Sequence, residues 1–333
     1  MKIDLFLVGD AHHRSAADVP AALAEYAMAA EAAGFDAVWI AEHHFIRYGA
    51  CPSVPLLAAH ILARTTRLRV GSAACVLSNR HPVALAEEAV MLDGLSGGRF
   101  LLGVARGGPW VDLEVFGTGR ERFDRGFGEA VDVLRDWISG PPRVSAAGEF
   151  FRFRPVPVLA RPRGAFPIWI AATSPPTVDA AARRGLPLLL GIHATDDDKA
   201  AMIRRWNTAA ADAGHDPSGA EHAAVYLAHA TDDGADRLRE AMTDWLSTGV
   251  GDYVRLDGGR GSGDQRGYVE RLAAEHLVGP APGLAARLAD SAAATEISRA
   301  LLLVEGIGEG AAVRDNIARL GAALRPIATP RPR

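Results

Sequence analysis

Cysteine is nearly absent from this chain of 333 residues. Only Cys51 and Cys75 occur, too few for a disulfide framework, so a reducing, cytoplasmic location is expected. No apolar run reaches the roughly 20 residues that a membrane helix needs. The opening "MKIDLFLVGD" is too short an apolar stretch for a signal peptide and reads as a buried strand. An excess of one charge is also lacking. The formal net charge is −4, which gives no footing for nucleic acid or an anionic membrane. Lysine is confined to Lys2 and Lys199, and arginine supplies the other basic side chains. Several chemical signatures are missing: there is no HExxH or metal-type cysteine pair, no GxGxxG after a strand, no GxSxG and no P-loop.

What is present is a repeating alternation. Hydrophobic residues make up 49% of the chain and charged residues 23%, enough for a large core. Short apolar runs at 3–9, 36–44, 68–77, 100–107, 167–173, 186–192, 222–231 and 299–306 predict eight buried strands, each followed by at least one helical stretch. In the first of these helices Asp18 is placed to cap, Pro20 suits the first turn and Gly34 ends it. Continuous apolar strands alternating with helices imply a parallel sheet covered on both faces. Eight such units over this length favour an α/β fold of the (β/α)8 TIM-barrel type, as a single domain over 1–333. The excess length falls after strand 4, where 140–166 contain a short hairpin, and after strand 7, where 249–281 read as a mobile lid.

In a barrel the chemistry gathers at the C-terminal strand ends. That places Glu42, His43 and His44 at the end of strand 2, Arg106 at strand 4, Thr173 and Ser174 at strand 5, and His193 at strand 6. In strand geometry adjacent side chains point to opposite faces, so His43 and His44 do not share one metal ion, and no metal site is expected. One histidine facing the pocket suits proton transfer, and the other reads equally well as buried support. The stretch "AATSPPT" opens a helix whose free N–H groups, with the hydroxyls of Ser174, Thr173 and Thr177 and with Arg106, make a phosphate site; the plainer reading is an ordinary N-cap. The small residues of "VGSAACVL" leave room for a flat ring or for close packing. Cys51 and Cys75 read as packing residues.

Taken together, "GFDAVWIAEHHF", "VGSAACVL…HPVALAEE…LDGLSGGRFLLGVARG", "EVFGT" and "RGLPLLL" resemble the bacterial luciferase family of flavin-dependent monooxygenases, and most closely its α subunit. The resemblance runs through 1–195 and is looser beyond. It implies a TIM barrel that binds reduced FMN (FMNH2), adds O2 at the flavin C4a and uses the resulting peroxide on a small hydrophobic substrate, by hydroxylation, epoxidation or Baeyer–Villiger insertion, with natural-product tailoring the expected setting. It implies a separate flavin reductase as partner and a homodimer formed through helices near strands 2 and 3. By position, His43 matches the acid/base histidine, with His44 and Glu42 beside it. Ala73 and Ala74 match a pair joined by a non-prolyl cis peptide under the flavin. Arg106, Ser174, Thr177 and Thr173 match phosphate ligands. Asp112 matches an acid near the flavin edge, Phe6 a substrate-pocket aromatic, and His193 stands on the same rim. Ala105 replaces the family's reactive cysteine, and Thr173 a glutamate. The second phosphate arginine is shifted: Arg125 is the choice and Arg122 the reserve. These departures weigh against light emission and a long-chain aldehyde substrate. The rival readings are an F420-dependent oxidoreductase of the same fold and a non-catalytic flavin-binding relative.

Overall fold

The computed structural model describes residues 1–108, 110–232, 235–256, 264–308 and 310–328. Strand β1 (Lys2–Leu7) is an almost wholly apolar strand of the main sheet. It is flanked by β2 (Ala37–Ile40) on one side and β8 (Arg299–Leu303) on the other, both parallel to it. The ring continues through β3 (Arg69–Ser72), β4 (Phe100–Ala105), β5 (Ile168–Ala172), β6 (Leu188–Leu190) and β7 (Ala223–Ala230). Strand β7 pairs with both β6 and β8, so the sheet closes into an eight-stranded parallel barrel. Helices cover its outside: α1 (Val19–Ala33), α2 (Val54–Arg64), α3 (Pro82–Ser96), α4 (Phe127–Ser139), α5 (Pro175–Ala182), α6 (Asp196–Asp212), α7 (Ala281–Thr295) and α8 (Gly310–Leu324). This is the TIM barrel that the sequence predicts.

Alternation along the strands sorts the core into two layers. Val38 and Ile40 face the helices, while Ala37 and Trp39 face the barrel axis with Leu101, Trp169, Leu189, Val225, Leu227, Leu301 and Leu303. Trp39 fits because its register partner is Gly71; a Cβ there would stand 2.6 Å from the indole. Trp39 meets Trp169 edge to face, with centroids 5.1 Å apart. Below them the barrel floor is ionic. Arg299 and Asp4 are fully buried and paired, Trp39 Nε1 donates to Asp4 Oδ2 at 2.8 Å, and the Arg299 guanidinium lies 5.6 Å from each indole centroid. Trp169 Nε1 donates to the Glu221 carbonyl at 2.8 Å, and Glu221 Oε2 stands 3.4 Å from Arg299. The Asp4 and Arg299 charges thus meet each other, which is what makes their burial tolerable, although Asp4 Oδ1 and Arg299 Nε make no hydrogen bond among the described residues.

Several local expectations change. Asp18 forms no side-chain cap on α1; Ser15 caps the preceding turn instead, at Ala17 N. Gly34 does end α1 in the left-handed conformation, and Ser53 caps α2. The strand expected over 36–44 stops at Ile40, so Glu42, His43 and His44 lie in a loop. Strand 3 is interrupted at Ala73–Ala74 and resumes as Cys75–Val76, which pairs with β4. The insertion after strand 4 is a hairpin, Arg143–Ala147 with Arg152–Pro157. The insertion after strand 7 is not a long loop. A helix spans Asp236–Leu256, a second spans Gln265–Glu275, and Leu277–Gly279 pairs with β7. Of the expected lid, residues 257–263 lie outside the described residues.

Candidate active site at the barrel mouth

The C-terminal strand ends carry most of the unusual side-chain chemistry. Beyond β2 the chain turns through Glu42–Phe45, with Phe45 at a positive φ of 62°. Leaving the strand frees both histidines from strict alternation, yet their rings still separate. His44 Nε2 stands 3.5 Å from Glu42 Oε1, and its ring meets Phe116 at 4.9 Å between centroids. The Glu42 carboxylate is buried: it accepts from Val76 N at 3.2 Å and holds Arg80 at 3.3 Å, and Arg80 also binds Glu88. Glu42 therefore clamps the segment after strand 3 to the end of strand 2, and His44 belongs to that clamp.

His43 turns the other way. Its ring packs edge-on against Tyr48, 5.5 Å between centroids. Gly49 is required at its flank, since a Cβ would stand 2.3 Å from Nδ1 and 3.0 Å from the Val8 carbonyl. Burial, helped by His44, pushes the His43 imidazole down to about 4, so it is neutral at physiological pH. Tyr48 in turn stacks on Trp245 from the Asp236–Leu256 helix, with centroids 5.0 Å apart and planes 22° from parallel. The aromatic row His43–Tyr48–Trp245 roofs the mouth. Phe6, Ile192 and Tyr268 border the same cluster.

On the floor of the mouth the Ala73–Ala74 peptide is cis. Ser72 fastens the approach to it, donating to the Gly103 carbonyl at 2.8 Å and accepting from Gly103 N at 3.0 Å. Gly103 admits this because a Cβ would meet Ser72 O at 2.3 Å. Ala73, Ala105 and Ala171 add only small side chains to the inner cluster.

The phosphate set divides. Arg106 is half-buried, stacks 4.6 Å from the Phe123 ring centroid and has no carboxylate partner among the described residues. Ser174 occupies the N-cap of α5 but makes no side-chain cap bond; its hydroxyl lies 3.1 Å from that of Thr177. The plain capping reading thus fails for Ser174, and Thr173 is exposed beside it. Arg125 is exposed and committed to Glu149 by two bonds of 2.6 and 2.8 Å. The reserve, Arg122, is the half-buried one: it donates to the carbonyls of Leu77 and Arg80, stacks on Phe151, and its Nε is buried without a partner. Asp112 is buried and accepts from Asn79 Nδ2 at 3.0 Å. His193 is exposed on the rim. Both cysteines are buried packing residues, and burial raises the Cys51 thiol to about 12. Among the described residues no group of three His, Cys, Asp or Glu could hold a metal, and no helix is long and apolar enough to cross a membrane.

Sequence reasoning missed Glu305, Tyr48 and Trp245. Glu305 follows β8 directly and is buried; its carboxyl accepts from Val8 N, from Gly9 N at 3.2 Å and from Asp10 N at 3.3 Å. Burial, reinforced by Asp10, raises it to about 7 despite those bonds. The strand-end rule that selected His43 would have selected Glu305, because "LLLVEG" ends the last barrel strand. Tyr48 and Trp245 carry no such signal, since their pairing joins distant segments.

These groups sit on a fold with many relatives. The sequence profile of luciferase-like monooxygenases matches residues 1–324. The alkanal monooxygenase alpha chain of Photorhabdus luminescens is 35% identical over 227 residues, covering 67% of this chain and 62% of that one. The alpha chain from the Kryptophanaron alfredi symbiont is 33% identical over 236 residues, covering 70% and 65%. The chain thus spans less than two thirds of the length of these relatives. Among solved structures, the monooxygenase RslO1 from Streptomyces bottropensis superposes with a TM-score of 0.83 at 25% identity, covering 98% of this chain and 99% of that one. An F420-dependent secondary alcohol dehydrogenase shares the fold, with a TM-score of 0.75 at 19% identity over 97% and 99%. On the match across nearly its whole length, the chain belongs to the luciferase-like monooxygenase family.

Proposed function

We propose that the protein uses reduced FMN and O2 to oxygenate a small hydrophobic molecule, with a separate reductase supplying the reduced flavin. The observation that carries this reading is the neutral His43 under an aromatic roof: oxygenation in water-sensitive chemistry needs a proton-handling group in a mouth that excludes water. Reduced FMN would supply the electrons that activate O2. The site's own residues fit that group. Among the described residues Arg106 has no carboxylate partner, and Ser174 and Thr177 present hydroxyls at a helix N-terminus, so together they would hold a phosphate. The alanines at 73, 74 and 105 leave room for a flat ring, and Arg122 offers a buried, unpartnered Nε nearby in the fold. His43 Nδ1 faces Gly49, and the imidazole is the group at the mouth suited to hold or pass a proton. Glu305, poised near neutrality, would keep a second proton at the mouth. A homodimer is part of the proposal. Leu56 on α2 and Met91 and Leu95 on α3 are 75%, 62% and 77% exposed, and a second copy would cover them.

The test is binding followed by isotope transfer. The protein should bind FMN more tightly than riboflavin, and Arg106→Ala should weaken FMN at least tenfold while leaving riboflavin within twofold. Anaerobically reduced FMN followed by ¹⁸O2 and candidate substrates should place ¹⁸O in a product. Preferential binding of F420 with no use of O2 would move the chain to the oxidoreductase reading.

A further inference from the structure

The hairpin after strand 4 serves the core with one face only. Val144, Ala146, Phe153 and Val156 turn inward onto the core. The opposite face is exposed and carries Arg143, Arg152 and Arg154, with Arg163 exposed just beyond. Residues 141–166 contain five arginines and a single acid, Glu149, and that acid is spent on Arg125 of the neighbouring helix Arg120–Arg125. Elsewhere on the surface arginines face acids: Arg120 meets Asp124, Arg184 meets Asp132, Arg205 meets Asp179 and Arg314 meets Glu25. On the hairpin, Arg143 and Arg152 reach only the carbonyls of Pro155 and Gly148. Arg154 and Arg163 make no hydrogen bond or ion pair among the described residues. Protection of a free strand edge does not account for this. Pro155 and Pro157 already blunt the Arg152–Pro157 strand, and charges of either sign would serve for the rest.

The position of the hairpin does account for it. Phe150 and Phe151, in its turn, lie against the guanidiniums of Arg125 and Arg122, 5.4 and 5.0 Å from the ring centroids. The residue after Arg122 is Phe123, whose ring carries Arg106 at 4.6 Å. The basic face thus adjoins the Arg106 end of the mouth, the end proposed to hold a phosphate. A phosphate group carries about 1.5 to 2 negative charges at neutral pH. The chain as a whole stands at −4, so a diffusing dianion is repelled on average and gains from a local field of the opposite sign. We propose that the basic face of this hairpin is an electrostatic guide, which draws the phosphate-bearing cofactor towards the mouth and speeds its association without holding it once bound. The proposal rests on the flavin reading. Its field fades over about 10 Å at 0.1 M salt, so the guide works at low ionic strength and is lost at high.

Stopped-flow binding of oxidised FMN and of riboflavin, at about 20 and about 300 mM NaCl, tests it. The unaltered protein should take up FMN about fivefold faster at the lower salt and riboflavin at nearly the same rate in both. Arg154→Glu combined with Arg163→Glu breaks no hydrogen bond among the described residues, so the fold should be kept. The double variant should slow FMN association about fivefold at low salt and within about twofold at high salt. FMN dissociation and riboflavin uptake should not change. An FMN association rate at low salt that the double variant leaves unaltered would overturn the proposal. So would FMN dissociation that quickens as far as association slows, because the face would then belong to the bound site. The unaltered protein gives a check that needs no variant to fold: FMN uptake no more salt-dependent than riboflavin uptake sinks the guide and leaves the flavin reading standing. A protein that binds neither flavin loses the flavin reading, and the guide with it.

Discussion

At the scale of single residues, His43 and Glu305 are displaced from their ordinary protonation ranges in opposite senses. Burial pushes His43 down to about 4 and Glu305 up to about 7. A mouth group that changes charge near pH 7 should therefore be Glu305 and not His43. The pH profile of kcat/KM is expected to show a limb near 7 that Glu305→Gln abolishes. His43→Gln should cut turnover roughly a hundredfold or more and leave that limb in place. Glu305 also leaves a mark on stability. Its folded pKa is raised, so its contribution is complete below the unfolded value of 4.5 and is lost as pH rises through about 7. Denaturant titrations of Glu305→Gln should lack that downward slope. Gly49→Ala probes His43 from behind. The added methyl would meet Nδ1 and a backbone carbonyl, so it should cost about 1–3 kcal/mol in stability and displace the imidazole, lowering kcat more than KM.

At the scale of elements, the barrel was legible because its strands are continuous apolar runs, and a run such as "RALLLVEG" has few other places to go than a sheet covered on both faces. The end of β2 was misjudged for a physical reason. Glu42 and the two histidines continue the β-like pattern of "DAVWI", but the carboxylate turns inward to Arg80 and Val76 N, and those tertiary contacts end the strand at Ile40. The helix Asp236–Leu256 runs on into the stretch expected to be a lid from 249, an expectation set by the glycines of "STGVGDY", which usually mark loops. Arg125 and Arg122 sit three residues apart on one short helix, and only the position of Glu149 on the neighbouring hairpin decides which guanidinium turns outward. The exposed apolar side chains of α2 and α3 lead to a prediction at this scale. Leu56→Glu with Met91→Glu should shift the protein from dimer to monomer in sedimentation velocity, while its circular dichroism is retained.

At the scale of the whole molecule, acid stability should be set by histidines remote from the mouth. His222 and His276 are buried, accept hydrogen bonds from Leu188 N and Leu227 N, and are held down to about 4 and about 3 by burial. Both stay neutral in the fold while the unfolded chain gains protons. Their contribution is thus complete above about 6.5 and lost as pH falls through about 4. At roughly 1.4 kcal/mol for each unit, the loss by pH 4 is about 3 kcal/mol for each ring, and chemical denaturation between pH 7 and pH 4 should record it. His222→Gln is expected to flatten that slope even if it lowers stability at pH 7. The ionic floor has a different kind of consequence. Arg299, Asp4 and the two indoles close the barrel at its floor, so a ligand bound at the strand ends comes and goes on the opposite side. If the proposed flavin lies deepest there, steady-state kinetics should follow a compulsory order, with flavin binding first and leaving after the product.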